Sequence, residues 1–229
     1  MREAIEKTKL RSIYDRVAKR YDYQHSFFTW KSDQRGRELL IEKTVRMGDT
    51  LLDCGAGTGT TGLLAAQKIG PNGKIVLFDM SCGMLDVAKE KAARSNLQGQ
   101  IEIKAGDMLN LPFEDNSFDA VLSSYSMCPV YDPAKAVLEL YRVAKPGGRI
   151  GVAHSIEPAA ALTKWLSDMI EGIVWHIPSI SLGCRAVSVL PSLENLGCKM
   201  IFRKYIGVPL WPFLVFVVEK PASLPTANV

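Results

Sequence analysis

The stretch Leu51-Leu52-Asp53-Cys54-Gly55-Ala56-Gly57-Thr58-Gly59 limits the possible folds of this chain more than any other. Apolar residues lead into glycines at every second position, and a helix-like segment, Thr60 to Lys68, follows. Glycine lacks a Cβ and tolerates positive φ, so a strand-to-helix turn of this kind lets backbone approach a ligand closely. The carboxylate of Asp53 at its mouth then bears on the sign of that ligand.

The same residues fit a second pattern, because Gly57-Thr58-Gly59-Thr60-Thr61-Gly62 reads as G-x-G-x-x-G, the dinucleotide fingerprint. A pyrophosphate seated on a helix N-terminus wants backbone N–H groups and no neighbouring anion. Asp53 opposes it. A cationic ligand reverses that sign: S-adenosylmethionine (SAM) carries an α-ammonium and a sulfonium but no phosphate, so the acidic turn favours it over NAD. A NAD-dependent oxidoreductase is the alternative in one direction, and a SAM-binding interaction module without catalysis in the other.

At 229 residues the chain is long enough for one sizeable core. Its net charge of +4 is too small and too evenly spread to point to nucleic acid. Basic residues are densest from Arg2 to Arg37, interleaved with acidic ones, which reads as a solvated helix face. No charged-then-apolar leader opens the chain, and no run approaches the roughly 18 apolar residues of a membrane span. A cytoplasmic protein is expected, with peripheral membrane contact open and oligomeric state undefined. The cysteines, Cys54, Cys82, Cys128, Cys184 and Cys198, lack metal-ligand spacing, so no metal is expected.

Strand and helix patterns alternate along the chain, which predicts a parallel sheet with helices on both faces. The strands are Thr50–Asp53, Lys74–Asp79, Ile101–Ala105, Asp119–Ser123 and Arg149–His154; helical periodicity marks Cys82 to Ser95 and Asp132 to Ala144, the latter opening on Asp132-Pro133. After His154 the rhythm changes. A helix over Ala159 to Gly172 leads into an aperiodic stretch, Ile173 to Gly183, and a further helix over Ala186 to Leu196 is expected to kink at Pro191. Lys199–Ile206 and Phe213–Glu219 read as strands joined by a connection short enough to require antiparallel pairing, forming a buried edge hairpin. Residues 1–45 form an N-terminal helical lid or extension, 46–221 the core, and 222–229 a disordered tail.

Five parallel strands followed by an antiparallel pair make a Rossmann-like α/β sheet of seven strands, and here the chain resembles the class I SAM-dependent methyltransferases, type 11 subgroup. The motifs that carry the resemblance stand in order at strand ends: Asp53 to Gly59, Phe78-Asp79-Met80-Ser81, Ala105-Gly106-Asp107-Met108, Phe118-Asp119 and Val143 to Ile150. Val17-Ala18-Lys19-Arg20-Tyr21-Asp22 is similar to the ubiquinone/menaquinone C-methyltransferases, although this chain has Cys128-Pro129 where those enzymes carry Arg-Asn. Val130-Tyr131-Asp132-Pro133 is similar to phosphatidylethanolamine N-methyltransferases, and His154 with Trp175-His176 to alkyl thiol methyltransferases. All three subgroups take lipophilic or amphipathic acceptors.

The strand ends define the expected site, because open α/β sheets bind ligands at their carboxyl edge. The cofactor set is Asp53, Gly55, Ala56, Gly57, Asp79 for the ribose hydroxyls, Met80 and Met108 against adenine, Asp107 for its amino group, and Ser123 under the methionine portion. From the resemblance, Tyr14 and Tyr21 belong to a helical lid, with Tyr21 toward the cofactor. His154, which closes the fifth strand and titrates in a useful range, is the first candidate for a general base, and Tyr14 of the lid is named beside it as a catalytic candidate. Tyr125, Cys128, Trp175 and His176 are expected in the acceptor pocket, with Trp165, Met169, Ile170, Ile173, Val174 and Ile177 as apolar wall.

Overall fold

The computed structural model describes residues 4–28, 32–177 and 181–222; the expected disordered tail beyond Ala222 lies outside them. Seven strands form one sheet in the order β3-β2-β1-β4-β5-β7-β6. They are β1 (Thr50–Cys54), β2 (Lys74–Asp79), β3 (Ile101–Ala105), β4 (Phe118–Ser124), β5 (Ala144–Ser155), β6 (Lys199–Val208) and β7 (Trp211–Glu219). The first five run parallel, and β7 enters antiparallel between β5 and β6. Strand order reverses between β1 and β4, so the crevice for a ligand opens above their carboxyl ends.

Central strands are apolar on both faces because helices cover both. Leu51, Ile75, Leu77, Ala120, Leu122, Val215 and Val217 face one layer, with α3 (Ser32–Thr44), α4 (Thr60–Ile69) and α5 (Cys82–Arg94) packed there. Leu52, Val76, Phe78, Val121, Ile150, Val152 and Phe216 face the other, against α6 (Pro133–Val143) and α8 (Leu190–Asn195). This two-residue alternation decides later which strand-end side chains reach the crevice.

The N-terminal extension is not one lid. The chain forms α1 (Lys7–Val17), a 3-10 turn (Ala18–Arg20), α2 (Tyr21–Phe28) and then α3, whose Leu40 and Ile41 are buried in the sheet's core. Only α1 and α2 lie over the crevice. Glu6 caps α1 by accepting from the Thr8 and Lys9 amides, and Leu10, Ile13 and Val17 give the helix a buried stripe that meets Met84 and Leu182. Asp15 fastens α1 to the start of α5: its Oδ1 accepts from Ser81 Oγ at 2.5 Å and from the Gly83 amide at 3.0 Å.

Three other elements depart from expectation. The helix expected over 186–196 begins only at Leu190, because Pro191 sits in its first turn, where a missing N–H costs nothing. The hairpin connection shrinks to Pro209 and Leu210, since Val208 pairs with Trp211. β7 is buried from Phe213 to Val218, whereas β6 is largely exposed, so the buried edge hairpin has one covered strand and one open one. β5 starts early, at Ala144, and its pairing with β4 then skips across the Lys145–Gly148 loop, where Gly147 adopts φ 73°.

Lys220 closes the domain. Its buried ammonium donates to Asn116 Oδ1 at 2.9 Å and to the carbonyls of Tyr141 and Ala144 at 2.8 Å each, occupying acceptors that α6 leaves open at its C-terminus. Lys220→Met removes those donors while keeping the packing, and urea unfolding should show a loss of about 1–3 kcal/mol; SAM affinity should not change.

Candidate functional site

The glycine turn after β1 and the ends of β2, β3 and β4 bound a crevice of about 100 Å³, roofed by α1 and α2. Gly55, with φ 75°, leaves no room for a side chain: a Cβ there would fall 2.3 Å from Ser126 Cβ. Gly62 has a different task, since its Cβ would meet Leu77 Cδ2 at 2.3 Å; it lets α4 pack closely on the sheet. Helix packing and backbone exposure together account for the G-x-G-x-x-G spacing without any pyrophosphate.

Asp79 is the best placed of the expected carboxylates. Gly57 N–H donates to Oδ2 at 2.8 Å and Ser81 N–H to Oδ1 at 2.9 Å, which locks the carboxylate at the crevice wall and leaves lone pairs on both oxygens for hydroxyl donors. Burial raises its pKa, against the opposing pull of those amides. Asp107 also lines the crevice, but it already has a partner: Lys7 Nζ on α1 lies 2.6 Å from Oδ2. Burial pushes Asp107 up, yet the Lys7 contact and the Leu109 amide leave it below its ordinary value. Met80, Met108, Gly55, Gly57, Tyr14 and Tyr21 line the same space.

Asp53, Ala56 and Ser123 do not. Asp53 is fully buried beneath the turn, where Oδ2 accepts from the Gly62 amide at 2.8 Å and Oδ1 finds no partner among the described residues. Ala56 N–H is taken by Phe78 O at 3.0 Å. Ser123 points below the crevice to bond Ser126 Oγ at 2.5 Å, and Ser126 takes the lining position instead. Asp53 therefore holds the turn from below, and the expected carboxylates that line the crevice are Asp79 and Asp107.

A buried network escaped the reading of residues 2–37 as a solvated face. Arg37 on α3 is buried, and its Nη1 donates to Thr61 Oγ1 at 2.7 Å and Ser124 Oγ at 3.1 Å. Its guanidinium lies 5.3 Å from the centre of the Tyr125 ring, with Asp33 Oδ2 at 3.8 Å. The sequence carries a faint trace of this role, for Asp33 and Arg37 stand four apart on one helix. α2 is tied down similarly: Asp22 accepts from Thr58 Oγ1 at 2.6 Å and pairs with Lys91, joining the lid to the glycine turn and α5.

A second cavity, of about 270 Å³, lies beside the first, with Tyr125 shared between them. Tyr125 has φ 58°, a strained backbone for a bulky residue, and this turns its ring to the boundary. Cys128 and Trp175 line the second cavity, together with Ile156, Ile170, Val174, Leu182 and Phe213. Tyr14 lines the first and donates its hydroxyl to Leu182 O at 3.1 Å, so it stands between the two. Burial raises the phenols of both Tyr14 and Tyr21, so both stay protonated at neutral pH. The Cys128 thiol is likewise pushed up by burial, and its sulfur accepts from the Ser155 amide at 3.2 Å.

Both candidate histidines, His154 and His176, lie outside the two cavities. His154 shares the face of β5 that carries Val152; its ring meets Phe216 edge-on at 6.1 Å and Nδ1 lies 3.0 Å from Ser155 O. Burial lowers its pKa, and it lines neither cavity. The side-chain period of two explains the miss: a residue one position along would have faced the other way. His176 is the exposed C-cap of α7 (Ala161–Trp175). Of the apolar wall expected on α7, Ile170, Val174 and Trp175 face the cavity, whereas Trp165, Met169, Ile173 and Ile177 are exposed.

Burial pushes the Asp53 carboxyl up to about 7, with Arg37 and the Gly62 amide pulling the other way. A carboxyl raised in the folded state binds its proton there more readily than in the unfolded chain, so its contribution to stability falls as pH rises from about 4 to about 7. Asp53→Asn keeps an acceptor for Gly62 and abolishes that slope. Urea unfolding across pH should show the variant gaining on the parent by about 1–3 kcal/mol at the alkaline end, and a constant difference at all pH values would contradict the assignment.

The ubiE/COQ5 methyltransferase family model matches residues 2–170. A demethylmenaquinone methyltransferase of Lactobacillus johnsonii is 33% identical over 153 residues, covering 66% of this chain and 63% of that protein. A ubiquinone/menaquinone biosynthesis C-methyltransferase of Francisella philomiragia is 35% identical over 161 residues, covering 70% and 64%. The chain thus spans less than two thirds of the length of these relatives. Among solved structures, the geranyl diphosphate C-methyltransferase of Streptomyces coelicolor superposes with a TM-score of 0.67 at 17% identity, covering 82% of this chain and 79% of that one. The cyclase SpnF gives 0.67 at 21%, covering 82% and 81%, so the fold hosts more than one chemistry. By the extent of the family match, together with the order of its strands and the placement of its glycine turn, this chain belongs to the ubiE/COQ5 methyltransferase family.

Proposed function

We propose that the protein transfers a methyl group from SAM to a lipophilic, quinone-type acceptor. The observation that carries this reading is the pair of adjoining cavities: one is walled by Gly55, Gly57, Asp79 and Asp107, the other is largely apolar, and Tyr125 is common to both. The first fits an adenosyl donor because a Cβ at Gly55 would close it and because Asp79 holds both oxygens ready for ribose hydroxyls. When bound, SAM supplies an electrophilic methyl group on a positively charged sulfur.

The chain's own residues then position and exclude water. Asp79 suits ribose hydroxyls of an adenosyl donor and of NAD alike, so it is the methyltransferase family match that weighs against the NAD reading. Asp107 must exchange Lys7 for the ligand, so α1 moves or Lys7 swings aside as the donor enters. Tyr14, protonated and poised between the cavities with its O–H on the Leu182 carbonyl, orients an acceptor hydroxyl by accepting from it on a phenolic lone pair rather than by removing a proton. Alignment in a dry pocket supplies most of the acceleration in such a displacement.

The acceptor class draws support from the names of the relatives and from the second cavity. Cys128 and Pro129, which replace the Arg-Asn pair of the quinone enzymes, sit on the two sides of the boundary: Pro129 at the first cavity, Cys128 at the second. Incubation with methyl-labelled SAM and a panel of reduced quinones tests the reading, and label appearing in no quinol but in a phospholipid amine or a thiol would move the assignment to another acceptor.

Calorimetry on the free protein separates donor recognition from turnover. SAM and S-adenosylhomocysteine should bind while NAD does not, and Asp79→Ala should weaken SAM by about 1–3 kcal/mol by leaving ribose hydroxyls unpaired. Unchanged affinity would remove Asp79 from the site.

A further inference from the structure

Helix α7 is inside out. A surface helix ordinarily turns its apolar stripe to the core, but α7 buries only Ser167, whose hydroxyl bonds Glu171 Oε1 at 3.4 Å, and turns Leu162, Trp165, Met169 and Ile173 to solvent. Their spacing of three and four residues makes one continuous face, and Leu162, Trp165 and Ile173 are 69%, 61% and 67% exposed. Ile177 extends the face beyond the helix end. The opposite side of the same helix, through Ile170, Val174 and Trp175, lines the second cavity. Across the cavity stands the β6–β7 hairpin tip, where Leu210 and Trp211 line it and Val208 and Trp211 are partly exposed. The apolar surface thus borders the cavity proposed to take the acceptor.

Charge selects what covers it. The acidic residues of the lid already have partners, Glu6 as the cap of α1, Asp15 with Ser81 and Gly83, Asp22 with Thr58 and Lys91. Arg16, Lys19 and Arg20 remain exposed on the outer side, and Gln24, one turn beyond Arg20, lines the second cavity. The rim therefore presents an apolar band with tryptophans beside a basic lid, on a chain of net charge +4. An anionic bilayer offers both halves of the match: an acyl boundary for Leu162, Ile173 and the tryptophans, and negative headgroups for the arginines and lysine.

We infer that α7 and the hairpin tip dock the protein on an anionic lipid bilayer, so that the second cavity opens toward the membrane. The inference rests on the lipophilic acceptor of the proposed function for its choice of bilayer over a second copy of the chain. It also supplies what that reading lacks, a route by which a water-insoluble substrate enters without crossing solvent.

Flotation of the full chain with phosphatidylcholine vesicles containing phosphatidylglycerol tests it, comparing the parent with the triple variant Leu162→Ser, Trp165→Ser, Ile173→Ser. None of the three side chains lines either cavity. The parent should float with the vesicles and the variant should lose at least about tenfold in partitioning, while calorimetric SAM affinity stays the same and shows the variant to be folded. A parent that ignores the vesicles, or a variant that floats equally well, would overturn the inference. So would light scattering that finds the parent dimeric and the variant monomeric, since α7 would then be a contact between protein chains. Absence of SAM binding by the parent would instead strike the proposed function, whatever the vesicles show.

Discussion

A carboxylate buried beneath a glycine turn is the constraint from which the rest of the site is built. Asp53 ends its strand with no solvent contact and takes the Gly62 amide at 2.8 Å, which pins the first turn of α4 to β1. Burial of that charge is unfavourable in itself, as the raised pKa records, and Arg37 offsets it from α3. Because Arg37 also reaches Thr61, Ser124 and the Tyr125 ring, one cation links α3, α4 and the end of β4. The geometry of the glycine turn is thus held from below, and its upper surface is free for a ligand.

Above that support, Asp79 joins the turn to the next strand through the Gly57 amide, and the lid closes over both. The lid is attached at separate points, Asp15 to the start of α5, Asp22 to Thr58 and Lys91, Lys7 to Asp107, and Tyr14 to Leu182. Only the Lys7 contact competes with the ligand expected in the crevice. Exposed ion pairs are weak in water, so this one can be exchanged at small cost.

The boundary between the cavities belongs to two tyrosines from distant parts of the chain. Tyr125 reaches it because its backbone adopts a left-handed conformation at the end of β4, and Tyr14 because α1 lies across the segment containing Leu182. A donor on one side and an acceptor on the other would meet there. The proposed docking of α7 on a bilayer would give the same arrangement a direction, from membrane to crevice.

The amino-acid sequence alone determined the strands, their parallel and antiparallel sets, and the place of Gly55, Gly57, Asp79 and Asp107 at the carboxyl edge, because apolar alternation and glycine spacing are local signals. It did not determine which way Asp53, Ser123 and His154 point, since a strand shows its two faces equally and only packing on Gly62, Ser126 and Phe216 picks one. Arg37 was hidden for a similar reason: a charged residue on a helix reads as solvated until the sheet and Tyr125 are brought against it. The outward turn of α7 was likewise decided by tertiary structure. Its periodicity announces an amphipathic helix, but whether the apolar stripe meets the core or the solvent depends on what else has already filled the core.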